Sequence, residues 1–219
     1  MEIQTVVLLS GGLDSTFNLY ASAKEWPQGV IALTLNYGQK AWESERRTAE
    51  KLADHLSIPI QVMDISNIFA GDKSSLTSQE KIPTGEVDIE SLSASENTAK
   101  KVWVSNRNGV LLNIAACVAE KLGAQWVVPG FNAEEAATFP DNSVDYIEKM
   151  NACLKLSTSN GVQIRCFSQS MEKKQIAQSL VALGGDLNLI WSCYFAGDKM
   201  CGECESCQRF NRAKNSINQ

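Results

Sequence analysis

The sequence predicts an α/β fold built on a mostly parallel, doubly wound sheet. Short apolar, β-branched segments recur along the chain, and segments with helical periodicity separate them. A glycine turn after the first of these segments leads into a helix, which is typical of βα units. With 219 residues, the chain has the length of one large domain or of one domain with a small appendage.

The first three strands alternate with two helices. Residues 3–9 are apolar and β-branched, and a glycine turn separates them from a helix over 14–24. A strand over 30–36 precedes a helix over 43–56, in which the apolar residues recur on one face. A third strand is predicted over 60–63.

The alternation resumes in the second half of the chain. A helix over 108–122 is apolar almost all round, which indicates a buried or subunit-facing element. A short strand over 126–129, a helix over 145–156, a strand over 163–167 and a helix over 172–183 follow it.

Residues 66–105 show no such periodicity and are rich in serine and threonine. A loop of this length inside a compact domain is usually functional or mobile. Composition alone does not distinguish a lid from a solvated insertion without a role, so both interpretations stay open.

The overall charge disfavours two classes of partner. Lys and Arg number 20 against 25 Asp and Glu, so the net charge of -5 attracts neither nucleic acid nor an anionic membrane. The longest apolar run, 114–119, is far too short to span a bilayer, and the N-terminus lacks a basic signal-peptide start. We therefore expect a cytoplasmic protein.

The segment Ser10-Gly11-Gly12-Leu13-Asp14-Ser15 lies where the first strand gives way to a helix. Glycines there let backbone N–H groups surround an anion, which the positive end of the helix also favours. Hydroxyl groups add donors, and Asp14 is a candidate ligand for Mg²⁺ on bound phosphates. The alternative is a plain glycine turn with a capping side chain. The candidate nucleotide-binding residues are Leu9, Ser10, Gly11, Gly12, Leu13, Asp14, Ser15 and Thr16.

Four of the seven cysteines crowd the C-terminal segment, at Cys193, Cys201, Cys204 and Cys207. In a reducing compartment such a cluster indicates a metal site rather than disulfides. Four thiolates are typical of a closed, structural zinc site that contributes folding free energy. An iron–sulfur cluster is the alternative, because Cys-x2-Cys-x2-Cys also occurs in ferredoxins.

The string SGG-x-DS at residues 10–15 resembles the signature of the PP-loop ATP pyrophosphatases, which bind ATP there and transfer AMP to an acceptor oxygen. The order of further motifs narrows the resemblance to the 7-cyano-7-deazaguanine synthase family of queuosine biosynthesis. Those motifs are Asn36-Tyr37-Gly38-Gln39, Arg107-Asn108, Phe139-Pro140-Asp141-Asn142-Ser143, Lys173-Lys174-Gln175-Ile176, Trp191-Ser192-Cys193-Tyr194 and Cys201-Gly202-Glu203-Cys204-Glu205-Ser206-Cys207.

This resemblance implies an ATP-dependent carbon–nitrogen ligase. The family converts 7-carboxy-7-deazaguanine and ammonia to 7-cyano-7-deazaguanine through an adenylated carboxylate, an amide and an adenylated amide, releasing AMP and pyrophosphate. Two alternatives stay open, namely another PP-loop enzyme that acts on tRNA and an ATP-binding scaffold that turns nothing over.

The resemblance also suggests roles for residues outside the candidate phosphate loop, residues 9–16. Asp14, Lys173 and Arg107 are the candidate catalytic residues, with Lys173 neutralising charge on the leaving phosphate and Arg107 clamping a phosphate or carboxylate. A solvated lysine is the alternative for Lys173, and a residue that only orients the long insertion is the alternative for Arg107. Carboxylates after the strand that ends near residue 129 are expected to accept from the N–H groups of a guanine-like base. These candidates are Glu134, Glu135 and Asp141.

The organisation that follows is a nucleotide-binding α/β domain over 1–185, with a polar insertion at 66–105, and a C-terminal four-cysteine segment over 186–219 that is expected to be helical. We expect one structural Zn²⁺ per chain, Mg²⁺ with the ATP, and no nucleic-acid or membrane partner. The apolar helix over 108–122, together with Tyr194-Phe195, favours a homodimer.

Overall fold

A computed structural model describes residues 2–85 and 92–217 of the chain. The strands are β1 (Thr5–Leu8), β2 (Val30–Asn36), β3 (Ile60–Asp64), β4 (Trp126–Val128) and β5 (Gln163–Ile164). The helices are α1 (Leu13–Glu25), α2 (Trp42–His55), α3 (Leu92–Val102), α4 (Arg107–Leu122), α5 (Ala133–Ala136), α6 (Val144–Ser157), α7 (Lys173–Ala182) and α8 (Glu205–Asn215).

The five strands form one parallel sheet in the order β3-β2-β1-β4-β5. The chain builds outward from β1 to β3, then returns to the other side of β1 and continues to β5. The strand order therefore reverses between β1 and β4, and the crevice at the carboxyl ends of such strands is where α/β proteins bind ligands. The predicted doubly wound parallel sheet is confirmed.

Helices cover both faces of the sheet, and neighbouring residues of each strand alternate between the two cores. Val6 and Val127 belong to the core that contains Leu112 of α4 and Leu154 of α6. The next residues, Val7 and Val128, face the core that α1, α2, α7 and α8 complete. Each fully buried aliphatic side chain of this kind contributes about 1.5–3 kcal/mol to the free energy of unfolding.

The predicted insertion at 66–105 contains more structure than the sequence indicated. Helix α3 occupies residues 92–102, and the N–H of Ser75 donates to the carbonyl of Lys101 at 2.9 Å. Ala99 and Val102 are buried, and two apolar anchors in a polar helix give too weak a periodicity to recognise. The expectation of an irregular segment was therefore wrong for residues 92–102, while residues 86–91 lie outside the described part of the chain.

The strand predicted over 163–167 is shorter in the structure and ends at Ile164. Beyond it, the N–H of Phe167 donates to Oδ1 of Asn18 on α1 at 2.9 Å. This side-chain acceptor replaces the carbonyl that a neighbouring strand would provide. The apolar segment therefore runs beyond the end of the strand without extending the sheet.

The C-terminal segment is helical, as expected, and its helix packs into the core that α1, α2 and α7 also form. Phe210 is 2% exposed and Ala213 is 1% exposed, and both pack in the core of α1 and α7. Within the described part of the chain, no helix combines the length and the apolar character needed to cross a membrane.

Candidate active site and metal centre

A cavity of about 240 Å³ lies at the carboxyl ends of β1, β2 and β4, where the strand order reverses. Residues from the phosphate loop form one part of its wall. Leucines from β2 and α4 form another, and polar side chains from α2, α4, α5 and α7 project between them. The polar lining includes Asp14, Ser15, Tyr37, Gln39, Glu45, Arg107, Asn108, Glu135 and Lys173.

The phosphate loop has the backbone geometry that the glycine turn predicted. Gly11 has φ +80°, and Gly12 is the N-cap of α1. A Cβ atom on Gly11 would lie 2.6 Å from Cγ2 of Thr48, so no larger residue fits between the loop and α2. Oγ of Ser10 lies 3.1 Å from Oγ of Ser15, which holds both hydroxyls at the start of the helix.

The eight predicted loop residues differ in where their side chains lie. Six of them line the cavity, while Gly11 and Thr16 do not. Thr16, in the first turn of α1, is 1% exposed. The six are Leu9, Ser10, Gly12, Leu13, Asp14 and Ser15.

A second glycine lets β4 approach the loop. A Cβ atom on Gly130 would lie 2.7 Å from the backbone nitrogen of Ser15, a distance that no real Cβ contact allows. The backbone after β4 therefore lies directly against the first turn of α1, and it closes one side of the cavity.

Lys173 brings two carboxylates together inside the cavity. Its Nζ donates to Oδ2 of Asp14 at 2.7 Å and to Oε1 of Glu135 at 2.8 Å. Burial disfavours the charged ammonium, but attraction to these two carboxylates outweighs that effect and raises the pKa of Lys173. The side chain is 7% exposed, so the alternative of a solvated lysine was wrong.

One oxygen of Asp14 has no partner among the described residues. Oδ2 accepts from Lys173, whereas Oδ1 is buried without a hydrogen bond. A buried, unpartnered carboxylate oxygen beside a phosphate loop fits a hard cation such as Mg²⁺, which prefers oxygen ligands.

Arg107 begins α4 and reaches the end of β2. Its Nη1 donates to the hydroxyl oxygen of Tyr37 at 3.3 Å, and its guanidinium carbon lies 5.5 Å from the centre of that ring. It also lies close enough to Asp141 and Glu135 to interact with their charges. These contacts hold the positively charged guanidinium group of Arg107 in place at the wall of the cavity.

The three predicted substrate carboxylates lie in different surroundings, and only Glu135 lines the cavity. Glu134 accepts the backbone N–H of Lys173 at 2.9 Å, and its other oxygen pairs with Arg209 at 3.2 Å and with Arg212. Asp141 is half-buried, and its burial raises its pKa against the attraction of Arg107.

Sequence reasoning did not single out Glu45, which also lines the cavity. Oε2 of Glu45 accepts from Nε2 of Gln39 at 2.9 Å. Burial raises the pKa of Glu45 to about 7, against the opposing effects of Gln39 and Arg107. Its position in the first turn of α2 resembles an ordinary helix-dipole acid, so no local signal marked it.

The four C-terminal cysteines converge as predicted. Their Sγ atoms all lie within 4.8 Å of one another, and those of Cys201 and Cys207 are 3.9 Å apart. Backbone N–H groups point at two of the sulfurs, with Phe195 and Cys201 donating to Cys193 and Glu203 and Cys204 donating to Cys201. A tetrahedral ion with metal–sulfur bonds of about 2.3 Å needs sulfurs about 3.8 Å apart, so the cluster fits one metal ion.

The four-cysteine cluster also contacts other parts of the chain. Thr84, from the predicted insertion, forms an antiparallel bridge with Cys204, and Gln208 of α8 donates to the carbonyl of Gly85 at 2.6 Å. Nearby, the N–H of Trp191 donates to the carbonyl of Gly11 at 2.9 Å. The segment that carries the cysteines therefore contacts the phosphate loop directly.

A family model described as queuosine biosynthesis protein QueC matches residues 4–218. The chain belongs to the QueC family. Two relatives in this family are named 7-cyano-7-deazaguanine synthase. The protein of Bdellovibrio bacteriovorus is 49% identical over 98% of this chain and 94% of its own length. The protein of Carboxydothermus hydrogenoformans is 48% identical over 96% of this chain and 98% of its own length.

Solved structures confirm the fold at lower identity. The U34-tRNA thiolase NcsA from Methanococcus maripaludis, solved with its [4Fe-4S] cluster, aligns with a TM-score of 0.51 and 16% identity over 99% of this chain and 66% of that chain. NMN synthetase from Francisella tularensis aligns with a TM-score of 0.50 and 14% identity, over 97% of this chain and 84% of that chain. At such identities the likeness concerns the fold alone, and it agrees with the predicted α/β fold.

Proposed function

We propose that the chain is a 7-cyano-7-deazaguanine synthase, a ligase-type enzyme of queuosine biosynthesis that consumes ATP. The observation that carries the proposal is the match to the QueC family over residues 4–218, together with relatives of that name that are nearly half identical. The cavity supports it, because a phosphate loop, a buried lysine and several carboxylates line one crevice. Membership of this family favours neither of the two alternatives, a tRNA-directed activity or an inert scaffold.

The first half-reaction activates the substrate carboxylate. Its oxygen attacks the α-phosphorus of ATP, and the bond to the β-phosphate oxygen breaks, so pyrophosphate leaves. Ser10, Ser15 and the N-terminal N–H groups of α1 are placed to hold phosphate oxygens, and Lys173 to neutralise the charge that develops on the leaving group. Ammonia then attacks the acyl carbon, AMP leaves with the acyl oxygen, and one proton is released.

The second half-reaction removes the remaining oxygen. The amide oxygen attacks the α-phosphorus of a second ATP and pyrophosphate leaves. The imidate nitrogen then loses its protons as the C–O bond to AMP breaks, and a nitrile remains. The same phosphate loop and Lys173 serve both activations. Positioning and charge neutralisation supply most of the catalysis, so the absence of histidine from the described lining of the cavity is no obstacle.

Mg²⁺ fits the site through Oδ1 of Asp14, which has no partner among the described residues. When bound with ATP, the ion would neutralise phosphate charge. Arg107 would then hold a phosphate or carboxylate oxygen from the opposite wall, and Glu134, Glu135 and Asp141 stay our predicted substrate contacts. Of these, Glu135 is the best placed, since it already lines the cavity.

The decisive experiment is to incubate the purified protein with 7-carboxy-7-deazaguanine, ATP, Mg²⁺ and ammonium. AMP and the deazaguanine products are followed by mass spectrometry. We expect two AMP for each nitrile formed. Formation of amide with one AMP would contradict the second activation, and AMP formation that does not depend on the substrate would overturn the proposal.

We propose further that the four cysteines hold one structural Zn²⁺ per chain. The short sulfur–sulfur distances support a single ion, because an iron–sulfur cluster places several iron atoms between its thiolates and spreads them farther apart. Metal analysis of the purified protein should find one zinc per chain and no visible absorption from iron–sulfur bonds. Iron in place of zinc would contradict this assignment.

A cytoplasmic homodimer remains our expectation for the assembly. Trp103 is 40% exposed and stacks on Phe139 with ring centres 6.2 Å apart, and the neighbouring Val144 is 54% exposed. Such an apolar surface beside α6 supports a second copy as its partner. The seven unpaired cysteines suit a reducing compartment. Light scattering at micromolar concentration tests the dimer, and cell fractionation tests the compartment.

The division of the chain into a nucleotide-binding domain over 1–185 and a C-terminal segment over 186–219 likewise stays a prediction.

A further inference from the structure

Three carboxylates line the cavity among the described residues, and two of them are already engaged. Asp14 and Glu135 both accept hydrogen bonds from Nζ of Lys173. Glu45 lies on the side of the cavity formed by β2 and α2, and it forms no salt bridge with any described residue. Arg107 attracts this carboxylate but forms no salt bridge with it, so a ligand with N–H donors would supply a further direct partner.

The position of Glu45 is set by a locked amide. Gln39 is 6% exposed, and its Oε1 accepts the backbone N–H of Tyr37 at 2.9 Å. Its Nε2 donates to the carbonyl of Leu35 at 3.2 Å and to Oε2 of Glu45 at 2.9 Å. Because every polar atom of this amide is engaged, Glu45 is held by one oxygen in a fixed direction. No described residue donates to Oε1, so Oε1 and the second lone pair of Oε2 are left to accept from a ligand.

The wall near this carboxylate suits a flat ring. Leucines from β2, from the segment after β3 and from α4 line the same cavity, and the ring of Tyr37 lies beside them with Arg107 over its face. A guanine-like ring presents two neighbouring N–H donors on one edge, which match a carboxylate. Adenine presents an acceptor beside its amino group, so its edge matches an ionised carboxylate poorly.

We propose that Glu45, positioned by Gln39, recognises the N–H edge of the deazaguanine ring of the substrate, in place of the carboxylates after β4 that the sequence suggested for this edge. This inference rests on the proposed function, and it assigns the ring to the β2 and α2 side of the cavity. The carboxylate to be activated then extends towards the phosphate loop. The residue is a specificity determinant, since it selects a ring with adjacent donors and takes no part in the transfer of AMP.

The test measures two Michaelis constants separately in the Glu45→Gln variant. We expect the KM for 7-carboxy-7-deazaguanine to rise roughly ten- to a hundredfold, the range of one bidentate pair, and the KM for ATP to stay within about twofold. Glu43→Gln is the matched control. Glu43 lies on the same turn of α2, pairs with Arg46 and has a side chain that is 62% exposed, so neither constant should change.

Two further measurements keep the inference open to contradiction if Glu45→Gln is poorly folded. Glu45→Asp keeps the charge but withdraws it by one methylene, and it should raise the KM for the base selectively. A substrate analogue without the exocyclic amino group should bind the wild type more weakly, while the Glu45 variants discriminate less between analogue and substrate.

The outcomes separate this inference from the proposed function. If the wild type forms the nitrile and Glu45→Gln leaves the KM for the base unchanged, Glu45 does not recognise the ring. A rise in the KM for ATP alone would place adenine there and overturn the inference. A wild type that does not convert the substrate contradicts the proposed function, and the inference with it.

Discussion

At the scale of single residues, Lys173 neutralises two carboxylates that line the cavity. It is the cation between two buried carboxylates, and its loss would leave Asp14 and Glu135 facing each other. Removing one partner of such a buried pair costs about 3–5 kcal/mol of unfolding free energy. In the mechanism that we propose, the same charge neutralises the leaving pyrophosphate, so one side chain would serve both stability and chemistry.

Lys173→Gln should therefore lower both kcat and the melting temperature. We expect a loss of about 10²–10³ in kcat, the usual effect of removing one electrostatic stabiliser. AMP release under saturating ATP measures kcat, and thermal unfolding measures stability. Lys174→Gln is the control, because Lys174 is the exposed neighbour on the same helix. A variant that kept its kcat would show that Lys173 is only structural.

Glu45 predicts an unusual dependence of stability on pH. Its pKa is about 7 in the folded protein against an ordinary value of 4.5, so the folded form retains a proton that the unfolded chain releases. Its contribution to stability is complete below pH 4.5 and is lost as the pH rises towards 7. The loss above pH 7 amounts to at most about 3 kcal/mol.

The ligand-free Glu45→Gln variant should thus be more stable than the wild type at pH 8. The difference should shrink as the pH falls towards 5, because the wild-type carboxyl then becomes protonated and neutral like the amide. Melting temperatures across this range check the prediction. A constant difference at all pH values would mean that the effect comes from packing rather than from charge.

At the scale of elements, helix α8 supports the start of α7 through Glu134. One oxygen of Glu134 accepts the N–H of Lys173, and the other pairs with Arg209 and Arg212 of α8. Arg209 is held in turn by Glu205 at 2.8 Å. The helix that carries Cys207 is therefore connected, through one carboxylate, to the backbone of the lysine in the cavity.

Arg209→Ala should lower kcat as well as stability. We expect a loss of about 2 kcal/mol, less than for a fully broken buried pair, because Arg212 still neutralises Glu134. Thermal unfolding and AMP release measure the two effects. Lys214→Ala on the same helix, where Lys214 donates to Asn188, is the control and should change neither by much. An unchanged kcat in Arg209→Ala would show that α8 does not support Lys173.

The elements also show how far sequence reasoning reaches. All five strands were predicted, and β2 with its own bounds, because buried parallel strands are continuous β-branched runs between turns. Helix α3 was missed since its buried anchors are sparse. The phosphate loop and the four cysteines were recognisable because their geometry is set by local spacing. Glu45 was not recognisable, and Gln39 was recognised only as part of a family motif, because the role of both residues depends on where β2, α2 and α4 meet.

At the scale of the whole molecule, the cysteine cluster connects segments that are distant in the chain. It joins the segment around Cys193, the middle of the insertion at Thr84 and helix α8, whose Phe210 packs in the core formed with α1, α2 and α7. Metal binding that occurs only in the folded state stabilises that state, so loss of the ion should affect more than the C-terminal segment.

Removal of the metal by a chelator should lower the melting temperature of the protein by several degrees. Zinc should restore it and magnesium should not, because thiolates prefer the softer ion. Cys201→Ser should reproduce the effect, since Cys201 contributes one of the four sulfurs. Cys153→Ser is the matched control, an exposed cysteine outside the cluster. Equal melting temperatures with and without metal would contradict a structural ion.

The hydrogen bond between Lys173 and Asp14 spans 159 residues, and this separation has a consequence for synthesis. On the ribosome, the phosphate loop emerges well before its lysine, which is made only after β5. Until then Asp14 lacks its cation, and the carbonyl of Gly11 lacks the N–H of Trp191. A nascent chain therefore displays the ATP motif long before it has a site for ATP, and nucleotide cannot guide the early steps of its folding.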